Sequence, residues 1–249
     1  MKYAALYKLS FIRYKGLENA MKYNNVCKAN FISRPNRFVA HVLLDGEETV
    51  VHVKNTGRCK ELLIPGCTVY LEQADNPNRK TQYDLIAVEK NGMLINMDSQ
   101  APNKVVEQWL RENEPFGKII YLKPEAVHGK SRFDFYLETV TEKMFIEVKG
   151  VTLEENGVVM FPDAPTLRGL KHIEELEYCL QEGYSATIIF VVQMRGVKYF
   201  TPNAKTQPKF AAALAKAEAA GVKVVAMDCE VSPDTLKIRE EVPVQNFFI

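Results

Sequence analysis

Two acids and a lysine in strand-like runs are the residues of this sequence best suited to chemistry. Asp134 lies in the run RFDF, and Glu147 and Lys149 lie two residues apart in an otherwise apolar run that begins at Met144. Residues two apart on a strand point to the same face, so Glu147 and Lys149 project together. Two carboxylates beside a lysine suit Mg²⁺ or Mn²⁺, which prefer oxygen ligands, far better than zinc. Such a metal activates a water and stabilises charge on a phosphodiester, while the lysine orients the nucleophile or neutralises the developing anion.

The same acids could instead be structural. Asp134 could pair with Arg132, and Glu147 with Lys149, because an acid two residues before a lysine is common on amphipathic strands. An acid inside an apolar run is costly unless it is paired or metal-bound, and both acids have apolar neighbours. This cost favours the functional interpretation.

Two kinds of element must position these side chains. Residues 26–96 contain six short runs rich in β-branched and aromatic residues, separated by turn signals such as Asp45-Gly46 and Asn91-Gly92. They predict a small barrel, with one helical turn near Gly57–Leu63. After residue 97 we expect a helix opening at Pro102, three strands, a helix, a strand, a helix, a strand and an edge strand. This order indicates an α/β domain with a mixed sheet, over residues 97–249, after a barrel domain over residues 21–96.

Basic residues lie close to the turns of the predicted barrel. Such residues hold backbone phosphates in single-strand binding proteins, although a solvated surface is the alternative for any one of them. The segment Asn55-Thr56-Gly57-Arg58 is either a turn with a left-handed glycine or an anion-binding nest of amides. The candidate nucleic-acid-binding residues of the barrel are Arg34, Arg37, Asn55, Arg58 and Lys60.

The helix that follows the two acids has two different faces. Asp163 is the expected N-cap, and residues 152–161 before it are expected to form a loop. The expected buried stripe consists of Leu167, Leu170, Ile173, Leu176 and Leu180. On the opposite face, Arg168, Lys171 and His172 are available to a phosphate.

The overall composition narrows the function classes. The 249 residues carry a formal net charge of only +1, so a nucleic-acid partner must be held by local basic patches. The five scattered cysteines predict neither disulfides nor a zinc site, and they indicate a cytoplasmic protein. The sequence contains no candidate membrane span, and residues 1–20 are expected to be a dispensable extension.

Asp134 with Glu147-Val148-Lys149 resembles the PD-(D/E)xK nuclease motif. Together with Asn55-Thr56-Gly57 and the string from Phe161 to His172 (FPDAPTLRGLKH), these residues resemble the sugar fermentation stimulation protein A family. The resemblance implies an N-terminal OB-like barrel, a restriction-endonuclease-like α/β domain, DNA binding and DNA or RNA nuclease activity. It also implies that Asp134 and Glu147 are metal ligands and that Lys149 is the catalytic lysine.

Two further acids are open to either interpretation. Glu125 resembles a recurrent acid of the family and could be another metal ligand, or it could pair with Lys123 or Lys130. Related nuclease cores often carry an acid on the first helix, and Glu107 lies near that place, where it could equally face solvent.

We expect a metal-dependent nuclease that acts on DNA, RNA or both. One alternative is a DNA-binding regulator, related to sugar utilisation, whose nuclease site is vestigial. Another is an α/β enzyme or structural protein that binds no nucleic acid, which the near-neutral net charge keeps open.

Overall fold

Three β-sheets and three helices make up the part of the chain that the structure, a computed structural model, describes: residues 20–55 and 57–245. The expected extension, residues 1–20, lies outside the described residues except for residue 20. The strands are β1 (Met21–Lys22), β2 (Val26–Asn36), β3 (Val39–Leu44), β4 (Glu47–Val53), β5 (Thr68–Gln73), β6 (Tyr83–Lys90), β7 (Met93–Asn96), β8 (Ile119–His128), β9 (Ser131–Thr139), β10 (Lys143–Val151), β11 (Leu153–Glu155), β12 (Val158–Phe161), β13 (Ser185–Val192), β14 (Tyr199–Pro202), β15 (Lys223–Val231) and β16 (Thr235–Glu241). The helices are α1 (Ala101–Asn113), α2 (Leu167–Gln181) and α3 (Pro208–Ala220). Among the described helices, none is long and apolar enough to cross a membrane.

The first sheet is the expected barrel. Its strand order is β4-β3-β2-β5-β6-β7, and a parallel pairing between β4 and β6 closes it. Alternating apolar residues of these strands, such as Val42, Val51 and Leu71, fill its interior and are fully buried. The segment from Gly57 to Leu63 contains the expected single helical turn, in which the Leu63 N–H donates to the Cys59 carbonyl four residues back at 2.9 Å.

The second sheet is mixed, as the element order predicts. Its order is β1-β16-β15-β13-β10-β9-β8; β10, β13 and β15 run parallel, and the other pairings are antiparallel. Helix α1 packs on one face, and α2 and α3 pack on the other. Strand β16 is not the expected edge, because β1 pairs outside it. Residues 21–22, assigned to the barrel from the sequence, therefore belong to this sheet.

A third, small sheet occupies a region expected to be a loop. Strands β11 and β12 form a hairpin whose two-residue turn, Asn156-Gly157, has positive φ at both positions (54° and 84°). This is the turn that matches the natural twist of a hairpin, and Asn-Gly is its usual sequence. Strand β14 extends the sheet by pairing parallel to β12.

Helix α2 is rotated relative to the expected leucine stripe. Leu167 is 83% exposed, and the buried positions are Gly169, His172, Ile173, Leu176 and Cys179. The N-cap is Thr166, whose hydroxyl accepts a hydrogen bond from the Gly169 amide at 2.9 Å, and not Asp163.

A buried hydrogen-bond network joins the barrel to the α/β domain. The Gln193 side-chain amide donates to the Asn96 side chain (2.8 Å) and to the Asp98 carbonyl (3.0 Å). The Asn96 amide in turn donates to the Tyr23 hydroxyl at 2.9 Å, and that hydroxyl donates to the Asp98 carboxylate. Because each buried polar group here has a partner, the network fixes how the two domains sit on each other.

Candidate functional site

The structure places Asp134 and Glu147 on neighbouring strands at the point where their pairing ends. The β9–β10 ladder runs to Ile146 and Phe135, and Glu147 and Asp134 are the next residues beyond it. There the Asp134 carboxylate accepts the Val148 backbone N–H at 2.7 Å. The Asp134 carboxylate thus accepts the hydrogen bond that a backbone carbonyl of the neighbouring strand would otherwise accept, and this bond holds the side chain beside Glu147.

A side chain from the first turn of α1 orients Asp134. The Asn103 amide donates to the second Asp134 oxygen at 2.7 Å. The helix acid considered from the sequence, Glu107, lies one turn further on and accepts from Arg111 at 2.7 Å. The first helix therefore contributes an amide to the acid pair. Asn103 has no motif around it, and only the packing of α1 against the sheet reveals it.

Glu147 is 1% exposed and points toward α2, because Ile146 and Val148 on either side of it pack toward α1. One carboxylate oxygen, Oε1, accepts from both the Lys149 ammonium and the His172 ring (Nδ1). The other oxygen, Oε2, is buried and has no hydrogen-bond partner among the described residues. Buried polar atoms nearly always have a partner, so this oxygen requires an explanation.

His172 departs from the expected exposed basic face of the helix. It is only 6% exposed, and it lies between Glu147 and Arg168, whose Nε is 3.4 Å from the ring Nε2. With Nδ1–H donating to the carboxylate, Nε2 is left as an acceptor for Arg168; this tautomer is assigned from the neighbours. His172 therefore contacts the acid and is almost entirely buried, because the buried stripe of α2 passes through it.

The two acids have opposite electrostatic environments. Burial, and next the negative charge of Glu147, raise the pKa of Asp134. Burial also favours the neutral form of Glu147, yet the His172 hydrogen bond and the Lys149 charge outweigh it and lower the pKa of Glu147. Glu147 is thus held as a carboxylate beside an acid that ionises less readily.

The donor set fits a hard divalent cation. The unpartnered Glu147 oxygen and the adjacent Asp134 carboxylate are oxygen donors, and Mg²⁺ is commonly held by one or two carboxylates while it keeps several waters. In the described part of the chain, no cluster of three or more His, Cys, Asp or Glu could hold a metal ion. Glu125, expected as a further ligand, does not join Asp134 and Glu147. Its side chain is 72% exposed and faces Arg132 at 3.7 Å. Its φ of +50° interrupts the regular strand there.

A basic groove of about 500 Å³ on the barrel contains four of the expected nucleic-acid-binding residues, Arg34, Arg37, Arg58 and Lys60. The Arg37 guanidinium stacks over the exposed Phe38 ring at 5.0 Å. Groove cations beside an exposed aromatic ring are typical of surfaces that bind single strands.

Arg34 has a different use from the one expected. Its four terminal N–H groups donate to four backbone carbonyls, those of Arg37, Asn55, Gly57 and Arg58, at 2.5–2.9 Å. These bonds leave none of the four for a phosphate, so Arg34 shapes the turn that carries Arg58.

Asn55 is also a structural part of this turn. Its amide donates to the Met97 carbonyl (2.9 Å), and its oxygen accepts the Gly57 N–H (2.7 Å). The Arg58 N–H donates to the Asp163 carboxylate at 3.2 Å, which links the turn to the loop before α2. A Cβ on Gly57 would lie 2.7 Å from that carboxylate and 2.9 Å from the Asn55 side-chain oxygen, so a larger residue would force these side chains to shift.

Family models match both halves of the chain. Residues 32–97 match the model described as SfsA N-terminal OB domain, and residues 100–235 match that described as Sugar fermentation stimulation protein RE domain. The chain belongs to the sugar fermentation stimulation protein family. This membership confirms the resemblance seen in the sequence, and with it the OB-like barrel and the restriction-endonuclease-like α/β domain.

Individual relatives agree with the family match. A sugar fermentation stimulation protein homolog of Clostridium beijerinckii is 55% identical over 224 residues, 90% of this chain and 99% of the relative. One from Ruminiclostridium cellulolyticum is 54% identical, over 90% of this chain and all of the relative. Among solved structures, Pyrococcus furiosus SfsA in complex with Ca²⁺ superposes with a TM-score of 0.81 at 32% identity, over 91% of this chain and 98% of that one.

Proposed function

We propose that this protein binds nucleic acid and hydrolyses its phosphodiester bonds with the help of Mg²⁺ or Mn²⁺. The observation that carries the proposal is the Glu147 oxygen that is buried without a partner beside Asp134. A buried, unpartnered carboxylate oxygen is costly in the free protein, and a cation bound there would satisfy it.

Each side chain of the site has a role in this proposal. Asp134 and Glu147 hold the metal, which supplies an activated water and charge stabilisation when bound. Asn103 and His172 fix the orientation of the two carboxylates from α1 and α2. The Lys149 ammonium, on the same strand face as Glu147, neutralises the charge that develops on the phosphate.

Two other observations support the proposal. The SfsA relative from Pyrococcus furiosus is described in complex with Ca²⁺, a hard cation of the kind that oxygen ligands bind. The OB domain match and the basic barrel groove supply a surface for the strand, with Arg37, Arg58 and Lys60 as its cations.

A cleavage assay tests the proposal. Single- and double-stranded DNA and RNA are each incubated with the protein and Mg²⁺ or Mn²⁺, and then with EDTA. We expect metal-dependent cleavage that the double substitution Asp134→Ala, Glu147→Ala abolishes. The matched control is Glu47→Ala, Asp75→Ala, which removes one exposed Glu and one exposed Asp of the barrel and should cleave normally. Cleavage by the Asp134, Glu147 double variant at the control's rate would refute the proposed site.

A second candidate is a regulator that binds DNA without cutting it. It is favoured by the small donor set, since among the described residues only Asp134 and Glu147 converge, whereas other nuclease cores use a further acid on the first helix. It predicts binding that falls steeply with salt and no cleavage with either metal, so the same assay separates the two functions.

A further inference from the structure

A second basic cleft, of about 480 Å³, opens between the β8–β9 turn and the first two turns of α2. We call it the α2 cleft. Four of the seven residues that line it are cationic and none is acidic; the lining is Lys130, Ser131, Arg132, Leu167, Arg168, Lys171 and His172. The positive end of the α2 dipole adds to the attraction for an anion.

The cations of the α2 cleft are available to a ligand. In the described part of the chain, neither Lys130 nor Arg168 nor Lys171 forms an ion pair with an acid. The Lys171 ammonium donates one bond to the Lys130 carbonyl (2.7 Å), which draws the turn and the helix together and leaves two N–H groups. Among acids of the described residues, Arg132 pairs with the exposed Glu125 alone, at 3.7 Å, which is too long for a hydrogen bond.

One residue that lines the same cleft, Ser131, has a buried hydroxyl without a partner among the described residues. Ser131 is 6% exposed, and its Oγ has no hydrogen bond to any described residue. A buried serine hydroxyl normally donates one bond, and a phosphate oxygen is a strong acceptor. The hydroxyl is therefore a second and independent indication of an anionic ligand.

One side chain, that of His172, separates the α2 cleft from the acid pair. His172 lines the cleft and at the same time bonds Glu147, and Arg168 contacts the other side of the His172 ring. A group held in the cleft is therefore one side chain away from Glu147.

We propose that the α2 cleft holds a backbone phosphate of the nucleic-acid strand, adjacent to the bond that is cut, through Lys130, Ser131, Arg132 and Lys171. The proposal rests on the proposed function and deepens it by giving the strand a path on the α2 side of the acids. It also assigns binding roles to Lys130, Ser131 and Arg132, which lie at the turn opposite the helix.

The test measures binding and not cleavage. Anisotropy of a fluorescein-labelled single-stranded DNA oligonucleotide is recorded in EDTA across a salt series, for the wild type and for Lys130→Ala, Arg132→Ala. We expect about tenfold weaker binding or more, and a log–log salt slope that is shallower by about 0.7, the value for one phosphate contact on a single strand. The control Arg111→Ala, Lys216→Ala removes the same charge from α1 and α3, so cleft variants that match it would overturn the proposal.

A neutral substitution separates a ligand role from a structural role. Ser131→Ala removes a hydroxyl that has no partner among the described residues, so the thermal unfolding midpoint should stay the same or rise. Oligonucleotide binding should nevertheless weaken a few-fold. Unchanged binding in this variant would show that the hydroxyl does not contact the strand and would count against the site.

Substitution of Glu125, the acid that faces Arg132, gives a test in which oligonucleotide binding should become stronger. Glu125→Gln removes the carboxylate that faces Arg132, so binding should tighten a few-fold; equal or weaker binding contradicts the proposal. Failure of the proposed function would give a different outcome. A protein that binds nucleic acid through the α2 cleft without cutting it would still show these binding changes in EDTA, but it would form no cleavage products with Mg²⁺ or Mn²⁺.

Discussion

The contact between His172 and Glu147 allows a stability prediction that needs no substrate and no metal. His172 is 6% exposed and Glu147 is 1% exposed, so water does not replace the hydrogen bond between them when it is lost. A hydrogen bond to a charged group contributes about 1.5–3 kcal/mol. We therefore expect His172→Leu to lower the free energy of unfolding by about 2–3 kcal/mol. For a chain of this size each kcal/mol corresponds to about 2–4 °C in the unfolding midpoint.

The assay is urea unfolding in EDTA of four proteins: the wild type, His172→Leu, Glu147→Leu and the double variant. Because each single variant leaves one buried partner unpaired, the double variant should lose less than the sum of the two, with a coupling of about 2 kcal/mol. His172→Asn keeps a side-chain N–H that can reach the same carboxylate and should recover part of the loss. Effects that add to within about 0.5 kcal/mol would refute the proposed role of His172.

Three further predictions concern the barrel and its junction with the α/β domain. Arg34→Lys should lower the free energy of unfolding by about 2 kcal/mol, because an ammonium cannot replace a planar group with four bonds; an unchanged urea midpoint would contradict this. Although burial of Asp84 favours its neutral form, the bonds from Arg79 and His52 lower its pKa from 3.8 to about 2. The ionised Asp84 carboxylate therefore stabilises the fold above about pH 4, and this stabilisation, about 2 kcal/mol at most, is lost as the pH falls to 2. The free energy of unfolding should accordingly fall less steeply with decreasing pH in Asp84→Asn than in the wild type, and equal slopes would refute the role of Asp84. Gly57→Ala should destabilise by about 1–3 kcal/mol, because its Cβ would lie 2.7 Å from the Asp163 carboxylate and 2.9 Å from the Asn55 side-chain oxygen. The cost should be smaller in an Asp163→Gly background, which removes the closer contact; an equal cost in both backgrounds would exclude the Asp163 contact as the cause.

Local sequence patterns predict much of the fold because its main elements follow local rules. The barrel strands are short β-rich runs bounded by strong turns, and the short turn at residues 140–142 determines the hairpin that brings Asp134 next to Glu147. The sequence Asn156-Gly157 is an equally clear hairpin signal, so the prediction of a loop over residues 152–161 was wrong although a local pattern pointed to a hairpin. Strand β1 has only two residues, and its partner lies more than two hundred residues away, so no local pattern predicts it.

The site was predicted less completely than the fold, for reasons of tertiary packing. Counting leucines placed Leu167 in the core and His172 on the surface, whereas the packing of α2 on the sheet exposes the leucine and buries the histidine. Arg34 has the charge of a phosphate ligand, but carbonyls 3 to 24 residues away along the chain use its donors. Asn103 lies next to Asp134 only because α1 packs over the strand. These roles depend on helix rotation and long-range contacts.

Manganese bound in crystals of the protein tests the central claim most directly. Mn²⁺ scatters anomalously, so its position is located independently of the protein atoms. We predict a peak between Asp134 and Glu147, with Glu147 Oε2 close to the distance of about 2.0–2.1 Å that Mg²⁺ keeps to its oxygen ligands. Crystals saturated with Mn²⁺ that show no peak at the acid pair, with Oε2 still unpartnered, would contradict the assignment of this site as a metal centre.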